Sequence, residues 1–81
     1  MRMVCISKNS DIAVGLRLAG VESFYIKESK DILLKIEEVL RDENVGILNV
    51  TEEVYEIAKG ILDRTRETRN LPLIVKIPNS K

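Results

Sequence analysis

Histidine is absent from this 81-residue chain, and cysteine occurs once, at Cys5. The first absence removes the commonest general base and the commonest metal ligand. Together the two exclude a zinc site of the usual Cys/His kind. A lone cysteine also forms no internal disulfide. No apolar run reaches the length of a membrane span. The sequence opens on a strand-like segment rather than a signal peptide, so an intracellular chain is expected. Net charge is lacking too: thirteen Lys and Arg balance thirteen Asp and Glu. Nothing therefore pulls the whole domain onto nucleic acid. Arg64, Arg66 and Arg69 lie close together, but Glu67 interrupts them and no aromatic residue lies among them. They read as a solvated helix end, where cations suit the dipole.

What is present is a globular composition, 44% hydrophobic and 32% charged, at a length that suits one domain. Residues 2–7, "RMVCIS", carry four consecutive apolar residues from Met3 to Ile6, as in a strand buried on both faces. Ser10 or Asp11 is expected to cap a helix that runs through Ala19 and stops at Gly20. Residues 22–26, "ESFYI", read as a second strand. In "ESKDILLKIEEVLRDEN", Ile32, Leu33, Ile36, Val39 and Leu40 make one helical stripe, with Ser29 or Asp31 as cap and Asn44 as stop. Residues 45–50, "VGILNV", read as a third strand. Thr51 caps a third helix, with Glu52 and Glu53 in its first turn and a stripe of Val54, Ile57, Ala58, Ile61 and Leu62. "RTRETRN" reads as a polar loop. Residues 71–78, "LPLIVKIP", make a fourth strand with a proline near each end.

Strand and helix alternate, which implies a parallel sheet of βαβ units. The expected fold is α/β: a flavodoxin-like three-layer sandwich with a four-stranded sheet of order 2-1-3-4 and three helices. Right-handed crossovers put the first helix alone on one face and the other two on the opposite face. No second helix covers strands 3 and 4 on the first helix's side. Both strands are apolar on either parity (Ile47, Leu48, Leu73, Ile74, Val75), so an uncovered apolar patch is expected there. It points to a partner, or to a missing C-terminal helix or tail of this one domain, 1–81. A short helix surrounded by core is the plainer reading of the same pattern. Within the first helix, Ile12, Leu16 and Ala19 form one stripe while Val14 and Leu18 point elsewhere.

No catalytic pattern emerges. Gly15 and Gly20 lie within and after a helix, not at the strand-to-helix turn that a dinucleotide fingerprint needs. The loop after the first strand, "SKNSD", has no glycine and no P-loop spacing. Lys8 beside a helix start offers a weak anion site. Cys5 lies inside an apolar run, as a buried structural cysteine does, and not at the mouth of a phosphate loop. A receiver domain needs an acidic pair after strand 1 and an aspartate ending strand 3. Ser7, Lys8, Asn9 and Asn49 stand there instead. Glu37, Glu38, Glu52, Glu53 and Glu56 read as solvated helix exteriors.

"NSDIAVGLRLAGVESFYI" resembles the segment after strand 1 in the F subunit of archaeal and bacterial A-type/V-type ATP synthases, with its "GFRLAG" signature. "NVGILNVTEEVYEIAKGI" resembles that family's "IGIILITE" strand and following helix, and "LPLIVKIP" its "LPAIVEIP" strand. Leu16 replaces the family phenylalanine, and Ser7 and Lys8 replace its glycine and aspartate. The family commonly continues past the last strand, whereas this sequence ends at Lys81. The resemblance implies a non-catalytic central-stalk subunit, peripheral on the cytoplasmic side of the cell membrane. It would bind the helical hairpin of the D subunit, and through it meet the catalytic head and membrane ring, in ATP-driven or ATP-producing proton or sodium transport. It implies no cofactor, no metal, no nucleic acid and no insertion into the membrane. From exposed-face reasoning, the expected contact residues are Leu18, Phe24, Tyr25, Leu73, Val75 and Ile77. The alternative is a phosphotransfer or receiver-like signalling module of the same fold.

Overall fold

The computed structural model describes residues 1–78. Its elements are β1 (Arg2–Ser7), α1 (Ser10–Leu18), β2 (Glu22–Tyr25), α2 (Ser29–Arg41), β3 (Val45–Thr51), α3 (Glu52–Ile57), α4 (Lys59–Thr68) and β4 (Leu73–Ile77). The four strands form one parallel sheet in the order β2-β1-β3-β4, as the alternation predicts.

Side chains alternate between the faces of a strand. One face of the sheet turns Val4, Ile6, Leu48, Val50 and Ile74 into the main core, against Ile32, Ile36, Val39 and Leu40 of α2 and Val54 and Leu62 of α3 and α4. Among the described residues, the other face meets α1 alone. There Cys5, Ser7 and Ser23 are buried beside Ala13. Among the described residues, no helix is long and apolar enough to cross a membrane.

Several local expectations need correction. The cap of α1 is Asn9, not Ser10 or Asp11: its side-chain oxygen accepts the Ile12 N–H at 3.0 Å. Buried Ser7 fixes Asn9 in place, its hydroxyl accepting the Asn9 N–H at 2.8 Å and donating to the Asn9 carbonyl at 2.9 Å. The helix stops at Leu18, where Gly20 adopts φ 94°. Gly20 N–H bonds Arg17 O at 3.0 Å and Val21 N–H bonds Leu16 O at 2.9 Å, a glycine-dependent double closure. α2 has Glu28 at its cap position with no side-chain bond, so neither Ser29 nor Asp31 caps it. It ends at Arg41, before Asn44, because Asp42 turns the chain and accepts the Asn44 N–H at 2.9 Å. β2 ends at Tyr25 and β4 at Ile77, both shorter than the apolar runs that contain them.

The third helix is two helices. The chain breaks at Ala58 (φ −108°, ψ 20°) into α3 and α4, giving four helices among the described residues in place of three. Thr51 precedes α3 but makes no cap bond, and its buried hydroxyl has no partner among the described residues. α4 continues through most of the expected polar loop, to Thr68. Thr65 and Thr68 return their hydroxyls to Ile61 O and Arg64 O, both at 2.9 Å, which keeps their polar atoms inside the helix.

Candidate functional site

The α1 face of the sheet is covered on one half only. α1 packs on β1 and β2. Over β3 and β4 the strand register sets out two rows of side chains: Met3, Ile47 and Leu73, then Cys5, Asn49 and Val75. Thr51 and Ile77 pair beyond them. Leu73 is 58% exposed, Val75 43% and Met3 41%, and Ile47 and Ile77 are partly exposed. The expected uncovered patch is therefore present. Its floor is apolar except for Asn49, whose amide donates to Val4 O at 3.4 Å.

The six expected contact residues do not form one surface. Leu73, Val75 and Ile77 lie together on β4. Tyr25 is on the same face by its register with Ser7, but it belongs to the opposite edge strand. Leu18 is 84% exposed on the outer side of α1, one turn from Val14 at 47%. Phe24 is separate: it is in register with Ile6, packs against the main core and lies under the Lys35 ammonium, 4.0 Å from its ring centre. Met3, Ile47 and Val14 belong to the exposed apolar surface and are absent from the expected set. The signal for Met3 and Ile47 is strand parity, once Leu73 and Val75 are chosen. For Val14 it is the i, i+4 spacing to Leu18.

The cysteine of this face is not a reactive one. Cys5 is fully buried under α1, and burial pushes its thiol up to about 11. Among the described residues, no group of three or more acidic or cysteine side chains is placed to hold a metal. At the start of α1, where Lys8 suggests an anion site, Asn9 already takes the Ile12 N–H.

A polar cluster lies at the α3–α4 junction. The Tyr55 hydroxyl donates to Asp63, and Lys59 Nζ reaches the other carboxylate oxygen at 2.9 Å. These partners hold the Asp63 carboxyl below the usual range, and the Tyr55 phenol is raised in turn by its bond to Asp63. The Lys76 ammonium stands 4.9 Å and the Arg66 guanidinium 5.5 Å from the Tyr55 ring centre. Every member has a protein partner, and the cluster ties the two short helices and β4 together. At the start of the sheet, Arg2 joins Glu22 at 2.9 Å and also Asp42.

Known proteins resemble this chain along most of its length. The family model of the ATP synthase (F/14-kDa) subunit matches residues 3–81. The chain is 35% identical over 68 residues to the A-type ATP synthase F subunit of Thermoplasma acidophilum, covering 84% of this chain and 65% of that protein. It is 33% identical over 75 residues to the A-type F subunit of Methanothrix thermoacetophila, covering 91% and 76%. The chain thus spans about two thirds to three quarters of those relatives' lengths. Its fold is that of the crystal structure of the V-type ATP synthase F subunit of Archaeoglobus fulgidus, with a TM-score of 0.79, 21% identity, and 94% of this chain and 95% of that one covered. By the family model and these relatives, the chain belongs to the family of the ATP synthase (F/14-kDa) subunit, as an F subunit of the A-type/V-type synthases.

Proposed function

We propose that this chain is a non-catalytic part of the central stalk, and that its uncovered β3–β4 face binds the helical hairpin of the D subunit. It would turn with the rotor in ATP-driven or ATP-producing proton or sodium transport, peripheral on the cytoplasmic side of the membrane. The observation that carries the reading is the apolar floor of Met3, Ile47, Leu73 and Val75 beside α1. α1 already fills half of the layer above this face of the sheet. A helix laid beside it would complete the sandwich. At about 25 cal/mol per Å², covering a few hundred Å² of apolar surface contributes several kcal/mol. The phosphotransfer alternative needs an accessible, acidic thiol. Cys5 is buried and its thiol is raised, so nothing favours that reading.

The test is co-purification of this chain with the D-subunit hairpin, read by size exclusion. A one-to-one complex is expected. Joint substitution of Leu73→Asp and Val75→Asp, both at exposed positions, is expected to abolish it while leaving the circular dichroism of the free chain unchanged. Full binding by that folded double variant removes the face from the reading. Failure of the parent chain to bind removes the partner.

A further inference from the structure

The sheet has two outer strands, and an arginine from the last turn of a helix bonds a backbone carbonyl on each. Arg17 of α1 donates from Nη2 to the Ser23 carbonyl of β2 at 2.8 Å. Arg66 of α4 donates from Nη2 to the Ile74 carbonyl of β4 at 2.9 Å. On β2 the direction of the bonded group follows from the pairing. Ile26 N–H reaches Ser7 O on β1 at 3.0 Å. Backbone groups of successive strand residues point to alternate sides. Glu22 and Phe24 therefore face β1, and Ser23 and Tyr25 face outward, where no strand pairs with them among the described residues.

An unpaired strand edge is a template for another strand. β2 has room for one. An open groove of about 370 Å³ runs beside it, lined by Arg17, Gly20, Val21, Glu22, Ser23 and Phe24. The Ser23 carbonyl turns outward from β2 and, among the described residues, has a partner there. That partner is a cation. Among the described residues no carboxylate pairs with Arg17, so the bond to Ser23 is what holds its guanidinium in place. A charge-assisted bond is stronger than the neutral ladder bond that would replace it. An approaching strand would also have to bury the guanidinium beside its own backbone.

We propose that Arg17 is an edge guard: it occupies the Ser23 carbonyl and so denies β2 to the β2 strand of a second copy of this chain. Two copies of β2 would meet about a two-fold axis, antiparallel, with Ser23 and Tyr25 of each facing the other, the self-complementary geometry of an isologous contact. β4 carries a like device. Arg66 holds Ile74 O there, and Pro72 and Pro78, one at each end of the strand, lack the N–H that a ladder needs.

The experiment compares the self-association of the 81-residue chain with that of its R17A, R17K and R17Q variants by sedimentation equilibrium. Amide NMR at several concentrations locates the contact. R17A is expected to associate on the order of a hundredfold more tightly than the parent, one charged hydrogen bond having been removed from each of the two copies. Its concentration-dependent shifts should centre on the Ser23 and Tyr25 amides. R17K, which still brings a charged donor to the carbonyl, should behave as the parent. R17Q, neutral but polar, is read in the same way as R17A and stands in for it should R17A fail to fold. The proposal is overturned if the folded neutral variants associate no more tightly than the parent. It is equally overturned if their shifts centre on Leu73 and Val75, which would place the contact on the sheet face.

Discussion

At the scale of single residues, backbone angle and burial decide what a substitution does. Gly20 at φ 94° sits where side-chain-bearing residues are strained, although space around it is open. Gly20→Ala is expected to cost about 1 kcal/mol. Gly15 lies within α1, and a methyl group added to it would meet only open space. Gly15→Ala is expected to stabilise the chain by about 0.5–1 kcal/mol. Urea unfolding of the two variants checks the opposite signs. Cys5 offers a test in pH. Its thiol ordinarily ionises near 9.0, and burial raises it to about 11 in the folded chain. The unfolded thiol therefore loses its proton first. The contribution of burial is complete below pH 9 and is lost as pH rises towards 11. The parent's unfolding midpoint should fall more steeply across that window than that of Cys5→Ala. Equal slopes would show that Cys5 does not stay protonated inside the fold. Gly20 was legible because a glycine after an apolar helical run has one common use. Asn9 was not, because three adjacent residues carry a suitable oxygen and buried Ser7 chooses among them.

At the scale of elements, periodicity located each stripe and missed the break within one. Val54, Ala58 and Leu62 are spaced by four and all are buried, so the stripe reads straight through the junction at Ala58. The pairs that hold the junction to its neighbours, Tyr55 with Asp63 and Arg66 with Ile74, are each eight residues apart and follow no helical repeat across the break. Their types say nothing of these contacts beforehand. Tyr55→Phe removes the hydroxyl that Asp63 accepts and leaves the ring packed. It is expected to lower the melting temperature by roughly a few degrees, read by circular dichroism. An unchanged melting curve would mean that the junction is held by packing alone. Strand parity set a similar limit. In a run apolar at every position, the choice of face comes from register with a neighbour. This is why Phe24 groups with Leu73 in the sequence, although its pairing with Ile6 turns it into the core.

At the scale of the whole molecule, the order of the sheet was legible because alternation and handed crossovers leave few topologies. So was the half-covered face, which follows from counting helices on each side. The cover proposed for that face, the D-subunit hairpin, has a thermodynamic signature. A ligand that binds only the folded chain stabilises it by about 2.7 kcal/mol at a hundred times its Kd. Adding the D-subunit hairpin should therefore raise the melting temperature of the parent and not that of the Leu73→Asp, Val75→Asp variant. Differential scanning fluorimetry at several hairpin concentrations measures the difference.

The half-covered sheet also bears on how many copies a cell keeps. A domain of this length has a small margin of stability, and an apolar face left in water adds nothing to it. A copy without its partner opens more often, and proteases act on the open form. Copies docked as proposed would be protected and surplus ones cleared. On the proposed docking, the number of chains would follow the number of partner hairpins available to receive them.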